Sequence, residues 1–192
     1  IGTYAGRRLN HEVMMRGTFA ASPLVNRMTP GSGGMTVHVD SGERCSIYEA
    51  SRRYASDAVP LVVIAGHHYG TGSSRDWSAK GPRLLGVRAV IAVSFERIHR
   101  ANLVAAGVLP LEFAKGDDAD SLHLDGTESI PVHGIADMTA PLAVLRASIR
   151  RANGEEQRIA LTARLDTAHE VRVYGRGGLL PLVFDRLFSR SK

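Results

Sequence analysis

Cysteine is almost missing from this 192-residue chain. Its single copy, Cys45, cannot close an internal disulfide, and it excludes an all-cysteine metal or cluster site built within the chain. That usage suits a reducing compartment, so the expected location is cytoplasmic. Long apolar runs are lacking as well. None reaches 18 residues, so no membrane span is read, and no signal peptide is visible. Lysine is scarce: of 24 Lys and Arg, only Lys80, Lys115 and Lys192 are lysines. No five basic residues are consecutive and aromatics are 6% of the chain, which gives a dedicated nucleic-acid surface little support. An initiating methionine is also missing, and the start at Ile1 reads as that of a piece cut from something longer.

What is present describes an ordinary globular domain. Hydrophobic residues at 44% and charged residues at 22% suffice for a core without covalent staples, and the length fits one domain over 1–192. The net charge of +5 comes from dispersed arginines. Scattered arginines most often form a solvated surface, but they can also pair polycarboxylates bidentately.

The pattern along the chain is α/β. Residues 1–34 read as irregular, polar and glycine-rich. MTVHV (35–39) alternates like a short strand, and SIYEASRRYA (46–55) has helical spacing with Ser46 as its N-cap. LVVIAG (61–66) and VRAVIAV (87–93) are apolar runs of strand length, as expected for strands covered on both faces. Between them a helix is expected over 75–86, broken or restarted at Pro82 and closed by Gly86. A second helix over 95–106 stops at Gly107 and leads into a third strand, VLPLEF (108–113). Strand–helix–strand units of this kind are parallel and right-handed. Acidic turns over 115–127, strands in IPVHGI and RIALTARL, and two short helices around Gly177 and Gly178 complete the reading.

The loop GHHYGTGSSRDW, Gly66 to Trp77, follows the first apolar strand. Ligands in open α/β sheets sit beyond the carboxyl ends of strands, and glycines before a helix start let backbone N–H groups approach an anion. Phosphate motifs fail here: no Lys-Ser/Thr follows the last glycine, arginine stands where a dinucleotide fingerprint needs glycine or alanine, and no G-x-S-x-G is present. What remains is Ser73-Ser74-Arg75. Arg75 can clamp a carboxylate, and a serine beside a cation and a helix N-terminus has a stabilised alkoxide that can act as a base. Ser74 as a plain N-cap, with Asp76 as a first-turn charge, fits the spacing equally well. His67 and His68 are adjacent and cannot easily share a metal, so they read as solvent-facing. His99 reads as a packed or capped helical residue, and Arg16 by spacing alone as surface.

The stretch YGTGSSRDWSAKGPRLLGVRAVIAVSFERIHRANLVAAGVLPLEF, with RRLNHEVMMRGTFA (7–20), LDGTESIPVHGI (124–135) and ARLDTAHEVRVYGRGGLLPLV (163–183), resembles the C-terminal swivel domain of the aconitase superfamily. The likeness is to the branch containing bacterial aconitases and iron regulatory proteins; the C-terminal stretch is also similar to 2-methylisocitrate-forming dehydratases. It covers almost the whole chain. The resemblance implies a three-layer β/β/α swivelling domain with a parallel βαβ core. It implies a hydro-lyase that reversibly dehydrates a tricarboxylic acid, with a [4Fe–4S] cluster held by cysteines of another domain and none in this chain. By motif position it makes Ser73 the base, and Ser74, Arg75 and Arg16 the substrate-carboxylate ligands. The implied partners are the substrate and the cluster-bearing domains, and the chain alone is expected to be inactive. RNA binding, as in iron regulatory proteins, ranks lower. So does a separate small subunit of an isopropylmalate isomerase, whose motif usually continues Ser-Arg-Glu-His where this chain has Ser-Arg-Asp-Trp. His67-His68, Leu9 and Ala21-Ser22 depart from the common family residues, which leaves substrate preference open.

Overall fold

The computed structural model describes residues 10–21, 24–29, 31, 33–72 and 76–189. The apolar runs form the parallel core that their composition demands. β3 (Leu61–Ala65), α3 (Trp77–Leu84), β4 (Val87–Ala92), α4 (Arg97–Ala105) and β5 (Leu109–Phe113) follow one another, and β3, β4 and β5 pair in parallel. β4 lies between the other two, and Val90, Ile91 and Ala92 on it are fully buried. Neighbouring strand residues face opposite sides. Accordingly Val90 packs with Ala79 of α3 and Leu103 of α4, while Ile91 joins the larger core on the other face.

That larger core needs strands from far along the chain. β6 (Val132–His133), β7 (Val144–Arg150) and β8 (Glu156–Ala163) extend the sheet to the order β3-β4-β5-β8-β7-β6. β8 runs antiparallel to β5, with Leu111 opposite Ala163, and the last two pairings are antiparallel as well. A separate two-stranded ribbon, β1 (Met35–His38) with β2 (Glu43–Ser46), precedes α2 (Ile47–Ser56). α5 (Ala168–Gly175) and α6 (Leu179–Ser189) close the chain. The α/β class with a parallel βαβ core is thus the observed one. Ser46 caps α2 as expected: its hydroxyl accepts from Glu49 N–H at 3.1 Å, and its own N–H donates to the Glu49 carboxylate at 3.0 Å.

Three expectations need correction. The first 34 residues are not all irregular, because α1 (His11–Gly17) forms there, capped by the Asn10 side chain. Pro82 does not break α3. It sits inside the helix, fully buried, where an eight-residue helix loses one backbone hydrogen bond and gains the burial of the ring. β7, absent from the sequence reading, is the longest partner of β8.

A charged network pins α5 to the sheet. Arg100 of α4 donates to both Glu170 carboxylate oxygens at 3.0 and 2.9 Å and to the Arg164 carbonyl at 2.8 Å. Arg164 in turn pairs with Asp166 and Glu112. Burial alone would raise the Glu170 and Asp166 carboxyls. Burial is the largest single influence on each, but the hydrogen bonds and charges of Arg100 and Arg164, with the Asp166 N–H bond to Glu170, together outweigh it and hold both below the ordinary carboxylate range.

Candidate active site

The glycine-rich loop leaves β3 at its carboxyl end and is fastened to the exit of β4. Val93 N–H donates to the Gly66 carbonyl at 3.1 Å, Tyr69 N–H to the Ser94 carbonyl at 2.9 Å, and Glu96 N–H to the Tyr69 carbonyl at 2.9 Å. These bonds extend the parallel pairing beyond the strands as far as Tyr69 and Phe95. His68 holds a left-handed backbone, φ 51°, and its N–H donates to Ser94 Oγ at 2.8 Å. Thr71 folds back on the His68 carbonyl through its N–H at 3.1 Å and its hydroxyl at 2.8 Å. The first half of the loop is therefore a rigid shelf at the carboxyl ends of two parallel strands, where ligands bind in such sheets.

Packing beneath the shelf is aromatic. The Tyr69 ring meets Phe95 edge-on at 6.1 Å and His99 at 5.2 Å. Burial pushes the Tyr69 hydroxyl up to about 12. His99 is buried, and burial pushes its imidazole down despite the nearby Glu96 charge. The backbone N–H of His99 is capped by the Glu96 carboxylate at 2.8 Å. The expectation of a packed or capped helical histidine is met by its burial against Tyr69. His67 and His68 are exposed.

Ser73, Ser74 and Arg75 lie outside the described residues. The helix that follows them begins at Trp77, with Asp76 at the cap position making no side-chain cap bond. Asp76 instead accepts from Lys80 at 2.6 Å, which lowers its carboxyl. Arg16 stands in the last turn of α1, over the Tyr48 ring at 4.4 Å, and donates to the Glu12 carbonyl at 3.1 Å. Its helix packs on α3, where Thr18 presses so close to Gly81 that a Cβ there would lie 2.0 Å from Thr18 Oγ1. The structure thus brings the Arg16-bearing helix to the helix that the Ser-Ser-Arg run leads into.

Sequence reasoning missed Ser94 as the group that fastens His68, and missed the seat of Gly70 on His99. Only the Ser94 role left a trace in the sequence, a small polar residue just past an apolar strand. Among the described residues, no group of three or more His, Cys, Asp or Glu is placed to hold a metal ion. Among the described residues no helix is long and apolar enough to cross a membrane.

A profile of the aconitase C-terminal domain matches residues 2–116. Aconitate hydratase A of Legionella pneumophila is 50% identical over 188 residues, which is 97% of this chain and 21% of that protein. The Escherichia coli enzyme of the same name gives the same figures, and that of Thermus thermophilus is 48% identical over 99% of this chain and 21% of its own. The chain spans about a fifth of the length of these relatives. Among solved structures, a 3-isopropylmalate dehydratase from Methanocaldococcus jannaschii superposes with a TM-score of 0.47 at 22% identity, over 75% of this chain and 76% of that one. With a domain profile spanning more than half its residues, the chain belongs to the aconitase C-terminal domain family.

Proposed function

We propose that this chain is the swivelling C-terminal domain of an aconitate hydratase-type hydro-lyase, acting on a tricarboxylic acid within a longer polypeptide. One observation carries the reading. An intact Gly-Ser-Ser-Arg run continues a loop that is bolted across the carboxyl ends of two parallel strands. A reducing cytoplasm suits a chain whose one cysteine is free and buried.

In this reading Ser73 removes a proton from a substrate carbon. The C–H electron pair becomes the new double bond, and the hydroxyl on the neighbouring carbon takes up a proton as its C–O bond breaks and departs as water; Ser73 then gives up the proton it took, and hydration runs the same steps backward. Serine is a weak base unless its alkoxide is stabilised, and the positive end of α3 together with Arg75 supplies that stabilisation. Ser74 and Arg75 hold one carboxylate. Arg16 holds another: stacking on Tyr48 uses the face of the guanidinium and leaves edge donors beyond the one given to Glu12. The residues of this chain do not fit a [4Fe–4S] cluster, since a single buried cysteine falls short of the several thiolates required. The cluster belongs to the remainder of the enzyme, and none of the steps assigned to this chain passes through it.

Steady-state kinetics of the full-length enzyme test the assignment. Ser73→Ala should lower kcat by about 10²–10⁴-fold while KM moves little, because a base acts in the transition state and not in ground-state binding. Arg75→Lys should damage both constants, since lysine lacks the planar fork. Near-normal turnover in Ser73→Ala, with loss in His68→Ala, would hand the proton transfer to the imidazole.

A further inference from the structure

The last helix carries its apolar side outward. In α6, Leu182 turns into the domain at 8% exposed, and Asp185 and Arg186 follow one turn later on the same side. Asp185 accepts from Arg176 at 3.0 Å. Leu180, Val183, Phe184 and Phe188 share the other side on successive turns, and they are between 41% and 69% exposed. The Phe184 and Phe188 rings stack, with centroids 6.1 Å apart and planes 9° from parallel. A helix at the surface of a globular domain normally does the reverse, burying its apolar stripe and leaving its charges in water. A contiguous apolar patch of this kind marks an interaction surface. Its place in the fold is defined. α6 leans on α4 and α5, and the turn before it is pressed against Gly107, where a Cβ would lie 2.3 Å from the Gly177 carbonyl oxygen. β5 starts just after, at Leu109, so α6 begins at the amino end of the parallel strands, opposite the glycine-rich loop.

We propose that this face of α6 docks on an apolar surface of the remainder of the same polypeptide, at a contact that begins at the end of the sheet away from the glycine-rich loop. The inference rests on the reading of the chain as one domain of a longer hydro-lyase, and it names a surface that joins this domain to the rest. The match to the Thermus thermophilus relative takes in 99% of this chain, α6 with it, yet only 21% of that protein. Most of a polypeptide of that length lies outside this domain and is available to cover the stripe. A lipid surface fits less well. Interfacial helices present cations to the headgroups beside their apolar face, whereas Arg186, the one Lys or Arg among the described residues of α6, lies on the domain side next to Asp185.

Thiol protection in the full-length enzyme tests the inference. Leu180→Cys and Phe188→Cys each place a thiol on the stripe, and Ala152→Cys, in an exposed turn, gives the rate of an open site. Alkylation by iodoacetamide follows thiol access and is read by mass spectrometry on the peptide that carries each cysteine, in enzyme without substrate. The stripe thiols should react at least about tenfold more slowly than the Ala152→Cys thiol, at every protein concentration. Because one substitution can itself loosen the contact, the two are read separately: protection of either sustains the inference, and open-site rates at both overturn it. Protection that disappears on dilution, together with a dimer mass by light scattering, assigns the stripe to a second copy. Protection gained only with anionic phospholipid vesicles assigns it to lipid. Either result also overturns the inference. Ser73→Ala turnover is measured alongside: if turnover is retained, the hydro-lyase assignment has failed, while the thiol rates report on the surface alone.

Discussion

At the scale of single residues, Arg16 shows how a surface cation can be held ready. Its guanidinium lies on Tyr48 and its ion pair with Glu12, at 3.6 Å, is exposed on both sides. Exposed pairs of this kind contribute about 0–1 kcal/mol, so the bond to Glu12 adds little to the stability of the fold. Arg16→Lys should leave the melting temperature of the chain within about 2 °C. In the full-length enzyme it should raise KM about 10-fold or more through loss of the bidentate fork. Thermal melts and steady-state kinetics read the two separately, and an unchanged KM would remove Arg16 from the substrate clamp. The residue was visible in the sequence only through its RGTFA context, because nothing in the spacing of an isolated arginine separates a clamp from a solvated charge. Gly70 and His99 lie 29 positions apart and meet only because β3 and β4 are neighbours, so no local pattern could have paired them.

Among the elements, α3 is the one that the site depends on, since it receives the Ser-Ser-Arg run and carries α1. Gly81 makes that contact possible. In an exposed helix, Gly→Ala stabilises by about 1 kcal/mol; here the added Cβ would collide with Thr18 Oγ1. Gly81→Ala should therefore destabilise, by about 1–3 kcal/mol as an overpacked contact, and Thr18→Ala should restore most of the loss. A melting-temperature series over the two single variants and the double variant would show it, and additive effects would mean that α1 and α3 are not coupled. The parallel core, α2 with its Ser46 cap and the two terminal helices were legible because continuous apolar runs, glycine stops and capping residues are strong local signals. β7 was not. Its buried Leu145, Ala147 and Ile149 alternate with exposed Val144, Arg146 and Arg150, but Ser148 is buried too and blurs the period. α1 was hidden in a glycine-rich stretch, although Asn10 followed by Glu12 is an N-cap signal that could have been read. Pro82 was overruled by burial.

For the molecule as a whole, the Arg100–Glu170–Asp166–Arg164 network ties the last third of the chain to the parallel core. Glu170 and Asp166 titrate below their ordinary values. Their contribution is therefore complete above the unfolded carboxylate range and is lost as pH falls through the depressed folded values. Melting temperature should drop on acidification below about pH 4.5. Glu170→Gln should start about 2–3 kcal/mol less stable at neutral pH, with Arg100 left partly uncompensated, and should show a flatter acid limb. Equal acid slopes in both proteins would exclude the network as the cause. The isolated chain, subjected to anaerobic reconstitution, should retain no stoichiometric iron or sulfide, because its lone thiol cannot hold a cluster; visible cluster absorption would contradict that. The pairing of β5 with β8 also bears on how the chain is made. Leu111 waits for Ala163, 52 residues later in synthesis. At about 5–20 residues per second, the apolar edge LPLEF emerges from the ribosome about 3–10 seconds before its antiparallel neighbour. During that interval the half-built sheet presents an open template to other nascent chains, so the step most exposed to aggregation is set by translation speed between β5 and β8, and synonymous codons that slow this interval should lower soluble yield without altering the finished protein.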